Sequence, residues 1–194
     1  SIPVPFLGAL LIVVFGFFFA TVSSRMVGLV GSSNNPISGM IIATLLIVTL
    51  ALKAAGFEGY SGMASAICIG TIVSIVTAMA GDTSQDLKTG YIVGATPIKQ
   101  QIGEILGAVV AAIAIGGIMY LLNSAWGFGS AELPAPQATL MKLVVEGVMG
   151  GTLPWGLIVC GVGIAVVIEI LGIPVLPFAV GLYLPIYLSA PIFI

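Results

Sequence analysis

The chain has 194 residues, of which 59% are hydrophobic and only 6% charged, and its formal net charge is −2. An ordinary soluble domain carries about 25% charged residues, so five basic and seven acidic side chains cannot dress a water-facing surface. The same counts exclude a nucleic-acid footprint, and the absence of His removes the commonest metal ligand and the usual proton shuttle near neutral pH.

A spanning helix needs about 20 largely apolar residues, because each adds ~1.5 Å across a ~30 Å hydrocarbon core. The first residues, Ser1-Ile-Pro-Val-Pro5, lack the basic leader of a signal peptide, so a fragment of a longer chain is expected. Residues 4–22 carry no charge and are long enough to span. The polar run Gly31-Ser-Ser-Asn-Asn-Pro36 follows, and after it the short apolar segment 37–52. Residues 61–80 and 102–122 read as further spans, the second with Glu104 near its start. Segment 140–153 carries Lys142, Glu146 and the pair Gly150-Gly151. Residues 156–171 are apolar until Glu169, and 174–194 are apolar but hold Pro174, Pro177, Pro185 and Pro191.

Proline removes a backbone donor and clashes with the preceding turn, so segments 37–52, 140–153 and 174–194 are not expected to run unbroken. In lipid the freed backbone groups need partners in protein or in a water-filled cavity, which points such segments at the interior or a pathway. A kinked or tilted helix is the plainer alternative. The expected fold is all-α: a polytopic transmembrane helix bundle with broken or re-entrant helices, residues 1–194 forming a single transmembrane domain. The polar connections are 23–36, 53–60, 81–101 and 123–139. If every segment up to 122 spans, Arg25, Lys88 and Lys99 share one face and Lys53 lies on the other, which places 81–101 in the cytoplasm. The pairs Gly90/Gly94, Gly103/Gly107 and Gly147/Gly151 read as packing faces, and Cys68 and Cys160 as small buried residues.

In a chain this apolar, the polar residues carry the information. The run Gly31 to Gly39 offers the hydroxyls and amides of Ser33, Asn34, Asn35 and Ser38 beside a fresh helix start, a place for a polar substrate or an ion. The alternative is a cap, with Asn35 at the N-cap and Pro36 at the first helical position. The run Gly81-Asp-Thr-Ser-Gln-Asp-Leu-Lys-Thr-Gly90 packs two carboxylates, an amide and a lysine together. A helical turn would put Asp82 and Asp86 on one face, where they repel unless a basic partner, a proton or a cation offsets them. A solvated loop is the competing reading. Glu169 ends an apolar run, where a neutral, protonated form is cheaper to insert than a charged one, so it is a candidate proton carrier. Glu104 and Glu146 are weaker versions of the same idea, and each fits a membrane-interface position as well.

No zinc-protease helix, zinc spacing, phosphate-binding loop or nucleophile elbow is present, so no cofactor, resident metal or enzymatic activity is expected. An intramembrane aspartyl protease needs carboxylates from two facing helices, whereas Asp82 and Asp86 share one short segment.

Residues 81–97, followed by Lys99-Gln-Gln101, resemble the signature loop of the oligopeptide transporter (OPT) superfamily. Gly31-Ser-Ser-Asn-Asn-Pro-Ile-Ser-Gly-Met40 is similar to that family's Asn-Pro-hydrophobic-Ser-Gly element, and 172–185 to its C-terminal apolar element. The resemblance implies the C-terminal part of a prokaryotic-type member, a proton-coupled secondary carrier of oligopeptides or of metal chelates in the plasma membrane. It places the family elements on Asn34, Asn35, Pro36 and Ser38, and on Asp82, Gln85, Asp86 and Lys88. It also implies partners: the lipid bilayer, a small peptide or chelate, a proton, and the remaining transporter segments or a second protomer. A channel, or a membrane-embedded subunit of a multi-protein permease, is the alternative function.

Overall fold

A computed structural model of the chain describes residues 4–183, except for the side chains of Leu176, Pro177, Val180 and Tyr183. The expectations for Pro185 and Pro191 lie outside the described residues. The elements in order are α1 (Phe6–Val30), a 3-10 turn (Ser32–Asn34), α2 (Ile37–Ala54), α3 (Gly59–Val93), α4 (Pro97–Ala125), α5 (Pro136–Gly150), α6 (Trp155–Ile170) and α7 (Val175–Tyr183). Helices α1 to α4 are long and apolar enough to cross a membrane, whereas α6 is shorter at 16 residues. The chain divides into two compact units, Ser1–Thr152 and Leu153–Ile194.

In the first unit, α1 and α3 run parallel: Gly8 packs near Ile69, Gly16 near Val76, and Ser23 near Thr77. α2 lies antiparallel to α3, with Leu45 against Gly70. It buries a stripe of Met40, Thr44, Leu45, Val48, Thr49 and Leu52, the helical spacing that turns one face inward. Leu45, Val48 and Leu52 meet Ala66 and Ile69 of α3 and Val145 of α5 in one cluster, while Phe19, Met40 and Val73 form a second. α5 ends against the far end of α2, where the Lys53 ammonium donates to the carbonyls of Val148 (2.7 Å) and Met149 (3.1 Å). A cation at a helix C-terminus meets both the free carbonyls and the negative end of the helix dipole.

Three expectations change. Segment 37–52 is not itself broken, because Pro36 precedes the first turn of α2 and leaves its hydrogen bonds intact; the break falls at Gly31 to Pro36. There Gly31 has φ 80°, which glycine adopts without the penalty of a Cβ. Residues 81–93 are not a loop but the last part of α3. No Pro interrupts them, and Ser84 and Thr89 bond back to the carbonyls of Ala80 (2.7 Å) and Gln85 (3.0 Å), so the polar side chains are accommodated within the helix. The expected packing glycines are also redistributed. Gly94 and Gly151 are left-handed helix ends, and among the described residues nothing comes within 4 Å of a Cβ built on Gly103 or Gly107.

In the second unit, α6 stops at Gly172, whose N–H donates to the Glu169 carbonyl at 3.0 Å. α7 tolerates Pro177 because it falls in the first turn, where an N–H has no helical partner to lose. Cys68 is half-buried and Cys160 exposed, both as free thiols, so the expected burial fails for Cys160 among the described residues.

Candidate functional site

The site begins where α1 ceases to be apolar. Ser23 and Ser24 turn toward α3, and their hydroxyls donate to the carbonyls of Thr77 (2.7 Å) and Ala80 (3.1 Å). Ser23 Oγ also accepts the Asn35 amide at 2.7 Å, so one buried hydroxyl joins α1, α3 and the break before α2. Gly81 makes this approach possible. A Cβ there would stand 2.7 Å from Asn35 Nδ2, 2.8 Å from Ser23 Oγ and 2.9 Å from Val27 Cγ2.

The Ser32 N–H donates to Gln85 Oε1 at 2.6 Å, tying the 3-10 turn to the polar part of α3. The Asn34 amide donates to the Val30 carbonyl at 3.2 Å and so satisfies the end of α1. Ser33, Asn34 and Ser38 are exposed, while Asn35 turns inward. No side chain caps α2 among the described residues, so Asn35 serves Ser23 instead of the helix start. Its Oδ1 is buried with no hydrogen-bond partner, an orphan acceptor of a kind folded proteins seldom leave.

Between α1 and α3 lies a groove of about 200 Å³ lined by Ser24, Gly28, Ser84, Gln85, Lys88 and Thr89. The Lys88 ammonium sits 5.3 Å from the Tyr91 ring centroid, within reach of a cation–π contact. Asp82 and Asp86 are exposed and share a helix face through their four-residue spacing, and neither forms a salt bridge among the described residues. α4 braces this stretch from another side. The Gln100 amide donates to the Asp86 carbonyl at 3.1 Å, and Thr83 Oγ1 donates to Glu104 Oε1 at 2.9 Å. Arg25, Lys88 and Lys99 therefore belong to one end of the bundle and Lys53 to the other.

The structure thus joins Asn35 and Gln85 to one junction, with Lys88 beside it and Asp82 and Asp86 on the same helix. Glu169 belongs to the second unit, exposed in the last turn of α6. Ser23, Ser24, Gly81 and Gln100 are site residues that sequence patterns do not single out. The available signal was the Ser23-Ser24 pair ending an uncharged run. Among the described residues, no group of three or more His, Cys, Asp or Glu converges as a metal site.

Four long apolar helices, with polar groups gathered at one broken end, define an integral, multi-pass helical membrane protein. Comparison with known proteins is more specific. Residues 1–194 match the family model described as OPT oligopeptide transporter protein, and the chain belongs to that family. A Haemophilus influenzae protein named as an oligopeptide transporter is 34% identical over 215 residues, covering 95% of this chain and 34% of the relative. A protein of Arabidopsis thaliana named as a metal-nicotianamine transporter is 32% identical over 101 residues, 48% of this chain and 14% of the relative. A Saccharomyces cerevisiae protein also named as an oligopeptide transporter is 25% identical over 171 residues, 88% of this chain and 23% of the relative. The chain therefore spans about a third of the length of the bacterial relative and less of the others. No solved structure matches it significantly. The family and its relatives are named for transport rather than for enzymatic activity.

Proposed function

We propose that the chain is one part of the transmembrane domain of a secondary carrier, which moves oligopeptides or metal chelates across the plasma membrane (the cytoplasmic membrane in bacteria). It works by alternating access and proton-coupled symport. The observation that carries this reading is the junction. A broken backbone, the inward-turned Asn35 amide and a run of ionisable residues meet at one end of four apolar helices, in a chain of a transporter family. Irregular backbone at a membrane helix end supplies free polar groups where a substrate passes.

In this reading Ser33, Asn34, Asn35 and Ser38 receive the substrate, and the orphan Asn35 Oδ1 offers it an acceptor. Asp82, Gln85, Asp86 and Lys88 act in gating or proton coupling, with Asp86 or Glu169 carrying the proton. The end bearing Arg25, Lys88 and Lys99 faces the cytoplasm by the excess of basic residues. The remaining segments of the carrier, or a second protomer, complete the route.

Reconstitution tests this directly. A symporter in proteoliposomes accumulates a peptide or chelate uphill when given a proton gradient; flux that only equilibrates would indicate a channel instead. Asp86→Asn and Asn35→Ala should each impair uptake by the whole carrier without lowering its surface abundance. Normal uptake by both variants would reduce the junction to a structural joint.

A further inference from the structure

Lys142 and Glu146 of α5 form an ion pair, Nζ to Oε1 3.7 Å, with side chains 67% and 50% exposed. Two helices fix its depth. α2 is 18 residues long with its midpoint at Leu45 and Leu46, and the apolar stretch 61–80 of α3 is centred on Gly70 and Thr71. Leu45 packs on Gly70, so the two midpoints coincide. Lys142 lines a cavity of about 340 Å³ together with Leu45, Gly70 and Thr71, which puts its side chain at that midpoint. Glu146 lies one turn farther along, toward the end that Lys53 holds.

Stability does not account for charges at that depth. An i,i+4 pair on a helix contributes only about 0.3–0.5 kcal/mol, whereas a single charged residue at the bilayer centre costs roughly 2.5–3.5 kcal/mol on insertion scales. Ionisable side chains within a membrane face the bundle interior or a water-filled cavity and mark a route for ions or substrates. Both residues line one groove of the helix bundle. It measures about 560 Å³, and Tyr60, Met63, Ile67 and Val145 make much of its wall. That volume falls within the ~300–1,000 Å³ common for small-molecule sites.

An apolar groove carrying one cation and one anion on successive turns of a helix, on side chains long enough to swing apart, is the complement of a small zwitterion with an apolar body. We propose that Lys142 and Glu146 form a binding pair for a peptide-like zwitterion near the bilayer midplane. Lys142 takes its carboxylate and Glu146 its ammonium group. When the site is empty the two side chains pair with each other, so neither charge is left without a counter-charge in either state. This deepens the carrier reading and rests on it, adding a station along the route beyond the junction.

The test uses the whole carrier, purified in detergent, with trialanine as the probe and calorimetric titration as the readout. Blocking either end of the peptide, by C-terminal amidation or N-terminal acetylation, should weaken binding to the wild-type protein about tenfold or more, the loss expected for one charge-assisted hydrogen bond. Lys142→Gln should bind free and amidated trialanine alike, and Glu146→Gln should bind free and acetylated trialanine alike. Lys142→Arg and Glu146→Asp keep the charges, and should keep the fold and the preference for free ends. Failure of the wild type to bind trialanine, an unchanged preference in the Gln variants, or its loss in the charge-conserving ones overturns the pair. Uptake separates the two readings. A carrier that transports yet ignores terminal blocking rejects the pair alone, and one that binds as expected but moves nothing rejects the transport reading alone.

Discussion

The seam between α1 and α3 and the length of α4 draw on similar residues, glycine and aliphatics, and use them in opposite ways. Along the seam, Gly8, Ser23, Val27, Val73, Thr77 and Gly81 are buried, and the glycines let side chains of the facing helix come close. Among the described residues nothing in α4 is buried, although it is as apolar as the others and 29 residues long. Hydropathy decides that a segment leaves water. It does not decide which neighbour the segment meets, because lipid tails solvate an aliphatic side chain about as well as another helix does. Where helices do pack in lipid, small residues and satisfied polar groups mark the contact.

Substitutions at glycine and serine can break or sharpen that contrast. The largest effect is expected from Gly81→Ala, because the new methyl group would overlap three atoms, two of them already joined by a hydrogen bond. Overpacking of this kind costs about 1–3 kcal/mol, and the melting temperature of the carrier in detergent should fall accordingly. Ser23→Ala comes next. It takes the donor from the Thr77 carbonyl and the acceptor from the Asn35 amide in a buried place, for roughly 1–3 kcal/mol at its lower end. Gly70→Ala should do less, since the atoms it meets, Leu45 Cδ2 at 2.5 Å and Cγ at 3.0 Å, belong to one apolar side chain and no hydrogen bond is disturbed; a loss of about 1 kcal/mol is expected. Gly107→Ala on α4 meets nothing within 4 Å among the described residues and gains helix propensity, so its melting temperature should match or slightly exceed that of the wild type. A large loss at Gly107 would place α4 against another part of the carrier and erase the contrast.

Particular residues show how much could be read in advance. Residues 4–22, 61–80 and 102–122 were legible as spans because transfer into lipid is close to a sum over consecutive side chains. The run 81–93 reads as a polar connection with a helical turn as its alternative, since polar composition points to water while the absence of a breaker lets α3 continue. At ~1.5 Å per residue those thirteen positions extend the helix about 20 Å past its apolar part. At the candidate site Asn35 and Gln85 were found from composition alone, but Ser23 and Gly81 were not, because their importance lies in what they touch.

Composition and order by themselves determined that this chain lives in a bilayer, roughly where it crosses and which family it resembles. Those properties are local, each set by a short run of neighbours in the chain. The parallel course of α1 and α3, the meeting of Lys53 with Val148 across 95 residues, and the placement of Lys142 beside Leu45 and Gly70 were decided only by the tertiary structure. Such contacts depend on the packing of distant surfaces, and many sequences of the same hydropathy would pack differently.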